Sequence, residues 1–370
     1  MVEEKRLMKG NEAIAEAAIR AGCDAYFGYP ITPQNELIAY MARHMLDKGR
    51  VFIQAESETA AMSMVYGAAA AGGRAMTSSS SPGVSLKQEG ISYACGADLP
   101  CVVVNVVRAG PGLGGIAPAQ GDYFQSTRGG GHGDYHHIVL APKSVQEAAD
   151  LTYEAFALAE RWRMPVMILA DGLIGQMMEG VVLPPDLSSR PRPERLWAVG
   201  IPRGDAAGGR AGKGREPNHV TSIHLDPAEL ESTIIARFER YKDIAKENTS
   251  FEEVNLDKAD LVFVAYGTAA RVCLGAIQAA KLRGVELGLL RPISLWPFPR
   301  DVLRRLAGEG KRLLTVEMSM GQMVEDVRLA VSGLGKACTV DFFGRTGGMV
   351  PTEEEVLAEA TRLLSCSEGE

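Results

Sequence analysis

From residue 8 to about 178 the chain alternates short, continuously apolar runs with longer segments whose apolar positions recur at helical spacing. The runs read as strands covered on both faces, the longer segments as the helices that cover them. Ile14, Ala17, Ala18 and Ala21 line one face of a helix that Asn11 can cap and that ends at Gly22. Ala25 to Phe27 is a short strand leading into the loop Gly28-Tyr29-Pro30-Ile31-Thr32-Pro33. A helix from about Asn35 to Leu46, strand Val51–Gln54 and helix Glu58–Ala71 follow. Strand Arg74–Ser78, helix Pro82–Ala94, strand Cys101–Val107, helix Val145–Arg161 and strand Val166–Ala170 complete the unit, with a long loop from Arg108 to Tyr135.

The rhythm breaks between residues 180 and 255. Val182 to Gly214 is rich in Pro, Gly and Arg and reads as a linker or irregular arm. Asp226-Pro227 then starts a long charged helix to about Lys246, placed along the outside of the molecule or against a partner chain. A second α/β unit begins near Asp260. It comprises strand Leu261–Ala265, helix Ala269–Arg283, strand Glu286–Leu290, helix Pro299–Ala307, strand Arg312–Glu317, helix Gln322–Ser332, strand Ala337–Asp341 and helix Thr352–Leu364. The expected fold class is therefore α/β with parallel sheets, divided as 1–180, 181–255 and 256–370.

Composition narrows the function classes. With 46% hydrophobic residues in 370, the chain is globular, and a net charge of −7 without a basic block argues against nucleic acid as a partner. Cys23, Cys95, Cys101, Cys273, Cys338 and Cys366 are dispersed, with no Cys-x-x-Cys and no iron–sulfur or zinc spacing. They read as small buried hydrophobes in a reducing cytoplasm. The charged N-terminus lacks a signal-peptide core, and no apolar run reaches membrane-spanning length, so no membrane role is expected.

The chemistry concentrates in two places. One is the proline-framed loop, where Pro30 and Pro33 fix the backbone around Ile31 and Thr32. The other is Gln54-Ala55-Glu56-Ser57-Glu58-Thr59-Ala60-Ala61, which sets Glu58 on the first turn of a small-residue helix. Glu58 by itself could be a helix-start carboxylate favoured by the helix dipole. Thr32 could serve an ordinary turn before a helix. Arg108 ends an apolar strand at the carboxyl edge of the sheet, where it could grip a ligand carboxylate or pair with Asp122. The Gly110–Tyr135 loop holds nine glycines and is too long for a plain connection. His132, His136 and His137 with Asp134 match no common metal spacing, so no metal is assigned to this chain.

These segments resemble the 2-oxoacid:ferredoxin oxidoreductases, in the alpha-type subunit that carries the thiamine pyrimidine-binding domain. The resemblance covers nearly the whole chain. It rests on Leu7-Met8-Lys9-Gly10-Asn11-Glu12-Ala13, Tyr29-Pro30-Ile31-Thr32-Pro33-Gln34-Asn35-Glu36, Ser80-Ser81-Pro82-Gly83, Gly130-Gly131-His132-Gly133-Asp134, Leu290-Arg291-Pro292-Ile293-Ser294-Leu295-Trp296-Pro297-Phe298 and Glu317-Met318-Ser319-Met320-Gly321-Gln322. The wording of the first 45 residues is most like the type acting on 3-methyl-2-oxobutanoate (2-ketoisovalerate).

The resemblance implies a pyrimidine-type domain followed by a transketolase C-terminal-like domain. It implies that Glu58, rather than Glu56, meets N1′ of the aminopyrimidine of thiamine diphosphate, beside Pro30 and Ile31. It implies that Arg108 and Thr32 orient the 2-oxoacid carboxylate. The Gly-Asp-Gly element followed by Asn that holds the diphosphate and its Mg2+ is missing. The implied partners are therefore a diphosphate-domain (beta-type) subunit, a gamma-type subunit, a ferredoxin-like subunit with [4Fe-4S] clusters, and ferredoxin, with coenzyme A as co-substrate. A non-catalytic scaffold subunit is the competing reading, and a self-contained thiamine enzyme lacks its diphosphate motif.

Overall fold

The computed structural model describes residues 5–187, 195–200, 216–334 and 339–367. In chain order the first half contains β1 (Lys5–Lys9), α1 (Gly10–Arg20), β2 (Ala25–Gly28), α2 (Asn35–Asp47), β3 (Val51–Gln54), α3 (Glu58–Ala70), β4 (Ala75–Ser79), α4 (Ser81–Gly96) and β5 (Cys101–Val107). Then come α5 (Tyr123–Thr127), β6 (Ile138–Leu140), α6 (Val145–Trp162), β7 (Pro165–Asp171), α7 (Gly172–Gln176) and β8 (Met178–Val182). The long helix α8 (Pro227–Asn248) and β9 (Phe251–Val254) lead into β10 (Leu261–Val264), α9 (Gly267–Lys281), β11 (Leu287–Pro292) and β12 (Ser294–Trp296). The last elements are α10 (Arg300–Gly308), β13 (Arg312–Glu317), α11 (Met323–Val331), β14 (Val340–Gly344) and α12 (Glu353–Ser367).

Strands β5 and β7 are buried at every residue, and they pair in parallel from Cys101↔Pro165 to Val107↔Asp171. Continuous apolar runs of this kind are stable only with helices on both faces. Helices α1, α2 and α6 cover one face through Ile14, Met41 and Phe156, and α3 and α4 cover the other through Met62, Val65 and Ile91. The close approach of α3 to α4 needs glycine at position 90, where a Cβ would lie 2.5 Å from Met62 Cγ. A second sheet runs β14-β13-β10-β11-β9, parallel except for β9.

The two units are not independent. The first sheet runs β12-β6-β7-β5-β4-β2-β3, so its edge strand β12 comes from the second half and pairs antiparallel with β6. Asp171, fully buried at the end of β7, accepts from Leu173 N and Ile174 N (3.1 Å each) and from Thr268 N (2.9 Å) and Thr268 Oγ1 (2.7 Å) across the junction. Arg291, 1% exposed, donates to Glu147 of α6 (2.7 and 3.0 Å) and to Glu252 of β9 (2.6 Å). Glu317 accepts from Gln322 N, Met323 N and Val324 N and so caps α11.

Several expectations change. Helix α1 starts before Asn11, which is not its cap. Asn11 is buried inside the helix and its amide donates to Pro33 O (2.8 Å) and Glu36 (3.1 Å), because tertiary acceptors outcompete the local capping role. Strands β1, β6, β8, β9 and β12 and the short helices α5 and α7 carry no apolar run long enough to be read from the sequence. Of the arm at 182–214, residues 188–194 and 201–214 lie outside the described residues, as does the start of the strand placed at Ala337–Asp341. Helix α8, capped by Asp226, lies on the outside of the first unit, with Arg237 donating to Gly96 O at 2.9 Å. Cys23, Cys95, Cys101 and Cys273 are buried and not in disulfides, and burial pushes the Cys101 thiol up to about 12. Among the described residues no helix is long and apolar enough to cross a membrane.

The junction can be tested directly. Thr268→Val keeps the shape and removes the hydroxyl bond to Asp171, and should cost about 1.5–3 kcal/mol of unfolding free energy. Asp171→Ala should cost more, because it also leaves Leu173 N, Ile174 N and Thr268 N without their acceptor. Denaturant unfolding of the full chain measures both.

Candidate active site

Strands β2, β4, β5 and β7 run parallel and adjacent, so their carboxyl ends form one edge. That is where α/β sheets place ligands. The loop after β2 is held mainly by its carbonyls. Asn11 Nδ2 and Gln176 Nε2 both donate to Pro33 O (2.8 and 2.7 Å), and Arg108 Nη1 donates to Thr32 O (2.9 Å). Pro30 is exposed, Ile31 and Thr32 are half-buried, and the Thr32 hydroxyl accepts from Asn35 Nδ2 at 3.2 Å.

Glu58 opens α3, whose N-cap Ser57 accepts from Ala60 N. The bend between β3 and α3 separates the two candidate carboxylates: Glu56, in the bend, is exposed, whereas Glu58, the first residue of α3, is 3% exposed. Glu58 Oε1 accepts from Ser79 Oγ at 2.6 Å, and Oε2 is in ion-pair contact with the Lys87 ammonium. Gly83 makes the space for this carboxylate. A Cβ there would stand 2.1 Å from Glu58 Oε1 and from Ser79 Oγ.

Arg108 follows β5 and is 8% exposed. Its N–H donates to Ser81 Oγ (3.1 Å), and its guanidinium donates to Thr32 O and to Leu113 O (3.2 Å). Nε is buried without a partner. The acid considered for it from the sequence, Asp122, accepts instead from Asn105 Nδ2 at 2.8 Å, and burial raises the Asp122 pKa. Arg108 is thus a buried cation with carbonyl partners and no carboxylate ion pair among the described residues. A guanidinium so placed is poised for an anion, since a buried charge needs a counter-charge.

The turn from β4 into α4 joins these groups. Ser78 Oγ donates to Gln34 Oε1 (2.6 Å) behind the loop, Ser79 holds Glu58, and Ser81 holds Arg108. Arg108 and Thr32 meet directly, while Glu58 reaches them through this turn. His136 stacks on Trp296 (4.9 Å) and His137 on Tyr135 (6.3 Å). Lys87 escaped the sequence reading, as did Ser79 as a partner of Glu58. A signal existed, because Lys87 lies on the face of α4 that also carries Gly83, Val84 and Ile91.

The architecture is that of a thiamine-diphosphate pyrimidine-type domain joined to a transketolase C-terminal-like domain. The family described as pyruvate flavodoxin/ferredoxin oxidoreductase, thiamine diP-binding, matches residues 16–196, and pyruvate:ferredoxin oxidoreductase core domain II matches residues 259–356. The ketoisovalerate oxidoreductase subunit VorB of Methanothermobacter thermautotrophicus is 50% identical over 95% of this chain and 96% of its own. The 2-oxoglutarate synthase subunit KorA of Archaeoglobus fulgidus is 39% identical over 88% and 91%. The solved 2-oxoglutarate:ferredoxin oxidoreductase from Magnetococcus marinus, with 2-oxoglutarate, coenzyme A and succinyl-CoA bound, superposes with a TM-score of 0.84 at 25% identity. It covers 97% of this chain, which spans 65% of that one. A split-gene transketolase matches at a TM-score of 0.56 and 13% identity, which shows the fold alone. The chain belongs to the 2-oxoacid:ferredoxin oxidoreductase family, as the sequence motifs implied.

The Glu58 cradle makes a test with two signs. Gly83→Ala should destabilise the full chain by about 1–3 kcal/mol through overpacking. Gly67→Ala, on the same carboxylate-bearing helix but with nothing within 4 Å of its added Cβ, should stabilise it by about 0.5–1 kcal/mol. Thermal unfolding of the two variants should shift in opposite directions.

Proposed function

We propose that this chain is the pyrimidine-domain subunit of an enzyme that converts a 2-oxoacid, coenzyme A and oxidised ferredoxin to acyl-coenzyme A, carbon dioxide and reduced ferredoxin. The branched-chain 2-oxoacids are the favoured substrates, ahead of 2-oxoglutarate and pyruvate, on the strength of the 50% identity to a ketoisovalerate oxidoreductase subunit. The observation that carries the reading is the buried Arg108 guanidinium, held against the Thr32 backbone and without a carboxylate ion pair among the described residues.

The residues present fit the pyrimidine half of thiamine diphosphate. Glu58 is buried in a cradle that a Cβ at position 83 would fill, and its two oxygens keep lone pairs after accepting from Ser79 and facing Lys87. When bound, thiamine diphosphate would supply the nucleophilic carbon and the electron sink that decarboxylation of a 2-oxoacid needs. Glu58 holds the ring nitrogen and shares its proton. Pro30 and Ile31 line the loop beside the ring. Arg108 takes the substrate carboxylate in a two-pronged hydrogen bond, and Thr32 orients it. Coenzyme A takes up the acyl group.

In this reading the diphosphate, its Mg2+ and the [4Fe-4S] clusters belong to partner subunits, of beta, gamma and ferredoxin-like type, in the cytoplasm. The divisions at 1–180, 181–255 and 256–370 are those of the pyrimidine domain, the arm with its helix, and the transketolase C-terminal-like domain. Support for a covering partner comes from large apolar side chains near Arg108. Leu113, Ile116, Met320 and Met349 are 82%, 67%, 76% and 54% exposed. Leu113 and Ile116 lie on the loop whose Leu113 carbonyl Arg108 holds, Gly348 beside Met349 packs on Ala117 of the same loop, and Met318, two residues before Met320, accepts from Gln120 N. Exposed apolar surface gathered in this way marks an interface.

In the assembled enzyme, Arg108→Leu should lower kcat/KM for the 2-oxoacid at least about a hundredfold, with Arg108→Lys intermediate. Cofactor content should stay near that of the unaltered enzyme. Emptying of the cofactor with substrate affinity intact would overturn the carboxylate role. Glu58→Gln should leave substrate-analogue binding intact and slow proton exchange at the cofactor's reactive carbon; near-normal turnover would instead favour a scaffold. Steady-state kinetics on a panel of 2-oxoacids, with ferredoxin as acceptor, reads both and ranks the substrates.

Calorimetry on the isolated chain supplies an independent check. It should show only weak thiamine diphosphate binding, and submicromolar affinity without a partner would sink the split-site reading.

A further inference from the structure

Lys87 is fully buried in the second turn of α4, and burial pushes its pKa down against the pull of Glu58. Its ammonium contacts Glu58 alone among the described residues, at carboxylate Oε2 and at the backbone carbonyl (3.3 Å). An apolar side chain of similar length would fill this space without the desolvation penalty of a buried charge. The charge therefore acts on the carboxylate beside it.

The geometry of that action is set by the end of β4 and one face of α4. Gly83 and Lys87 lie four residues apart on that face, one above the other, and Ser79 ends β4 with its hydroxyl beside Gly83. Ser79 binds one oxygen of Glu58, Gly83 leaves room for it, and Lys87 faces the other oxygen. The carboxylate is thus clamped from both sides, with its remaining lone pairs unclaimed. The other titratable side chain that senses Glu58 is Tyr26 on β2, which burial holds neutral. Lys87 is the charge set directly against the carboxylate.

We propose that Lys87 is a positioning residue for Glu58: its buried ammonium is the counter-charge that holds the carboxylate in one orientation, so that the aminopyrimidine nitrogen meets a fixed acceptor. This rests on the cofactor role of Glu58 argued above. A buried carboxylate facing a buried ammonium is a compensated pair, which neither charge is without the other. It touches neither the site of the substrate carboxylate nor Arg108, so its effect should fall on the cofactor and not on substrate binding.

The test uses the assembled enzyme with Lys87→Met, Lys87→Arg and Glu58→Gln. Proton exchange at the reactive carbon of bound thiamine diphosphate is followed by NMR as a function of pH, together with cofactor affinity and KM. In Lys87→Met the site loses its buried counter-charge, and the acid limb of the exchange profile should move up by about one unit or more. Cofactor affinity should fall about tenfold, and KM for the 2-oxoacid should change less than about twofold. Lys87→Arg keeps the charge and should return the acid limb toward its original position.

An unmoved acid limb in Lys87→Met, with exchange abolished in Glu58→Gln, would overturn the role of Lys87 and leave that of Glu58 standing. Exchange that survives Glu58→Gln would overturn the reading of Glu58 itself. If Lys87→Met does not fold, the double variant Glu58→Gln/Lys87→Met decides, because it also removes the stranded carboxylate. Recovery of folding supports the pair, and failure of the double variant as well overturns it.

Discussion

Four consecutive serines, Ser78 to Ser81, carry the chain from β4 into α4 in a place where water does not reach, the first three at 0% exposure. A buried hydroxyl must find a partner or cost free energy. Ser78 takes Gln34 behind the proline loop, Ser79 takes Glu58, and Ser81 takes the backbone of Arg108. The groups assigned to the chemistry are therefore spaced by the turn that joins one strand to one helix. Only Ser80 Oγ among the four stays without a partner. Gly83 is the corollary of the same crowding, because the carboxylate occupies the volume a Cβ would need.

The second unit acts on this site from a distance, through rigidity. Gln120 donates to Tyr266 O and accepts from Met318 N, both at 2.9 Å, and so anchors the far part of the glycine-rich loop to the second sheet. Asp171 and Thr268 lock the end of β7 to the start of α9, and β12 extends the first sheet itself. The part of the loop next to Arg108 stays at the surface with Leu113 and Ile116 exposed. A loop pinned at one end and apolar at the other is suited to being finished by another chain.

Buried charge divides this chain's interior into two kinds. Arg291 is surrounded by Glu147 and Glu252 and is satisfied within the chain. Arg108 is held by carbonyls alone, and Lys87 meets one carboxylate that has its own use. Arg108, the one of these without a carboxylate among the described residues, lies at the carboxyl edge of the first sheet, which is where a charged ligand would complete it.

Periodicity along the chain determined most of the elements. Strands such as Cys101–Val107 and helices such as Val145–Trp162 were readable because continuous apolar runs and a 3.6-residue stripe each have one low-energy solution. The motifs around Thr32, Glu58 and Arg108 were likewise legible, because each is local in sequence. Tertiary structure alone decided what each side chain meets. Asn11 looks like a cap and became an anchor for Pro33, and Asp122 looked like a partner for Arg108 and took Asn105. Strand β12, with three residues and no alternation to mark it, exists only because β6 offers an open edge. Lys87 meets Glu58, 29 positions away along the chain, only in the folded molecule. Local pattern specifies backbone and burial through short-range sterics and solvent. The pairing of polar groups depends on residues tens to hundreds of positions apart, which no window along the chain contains.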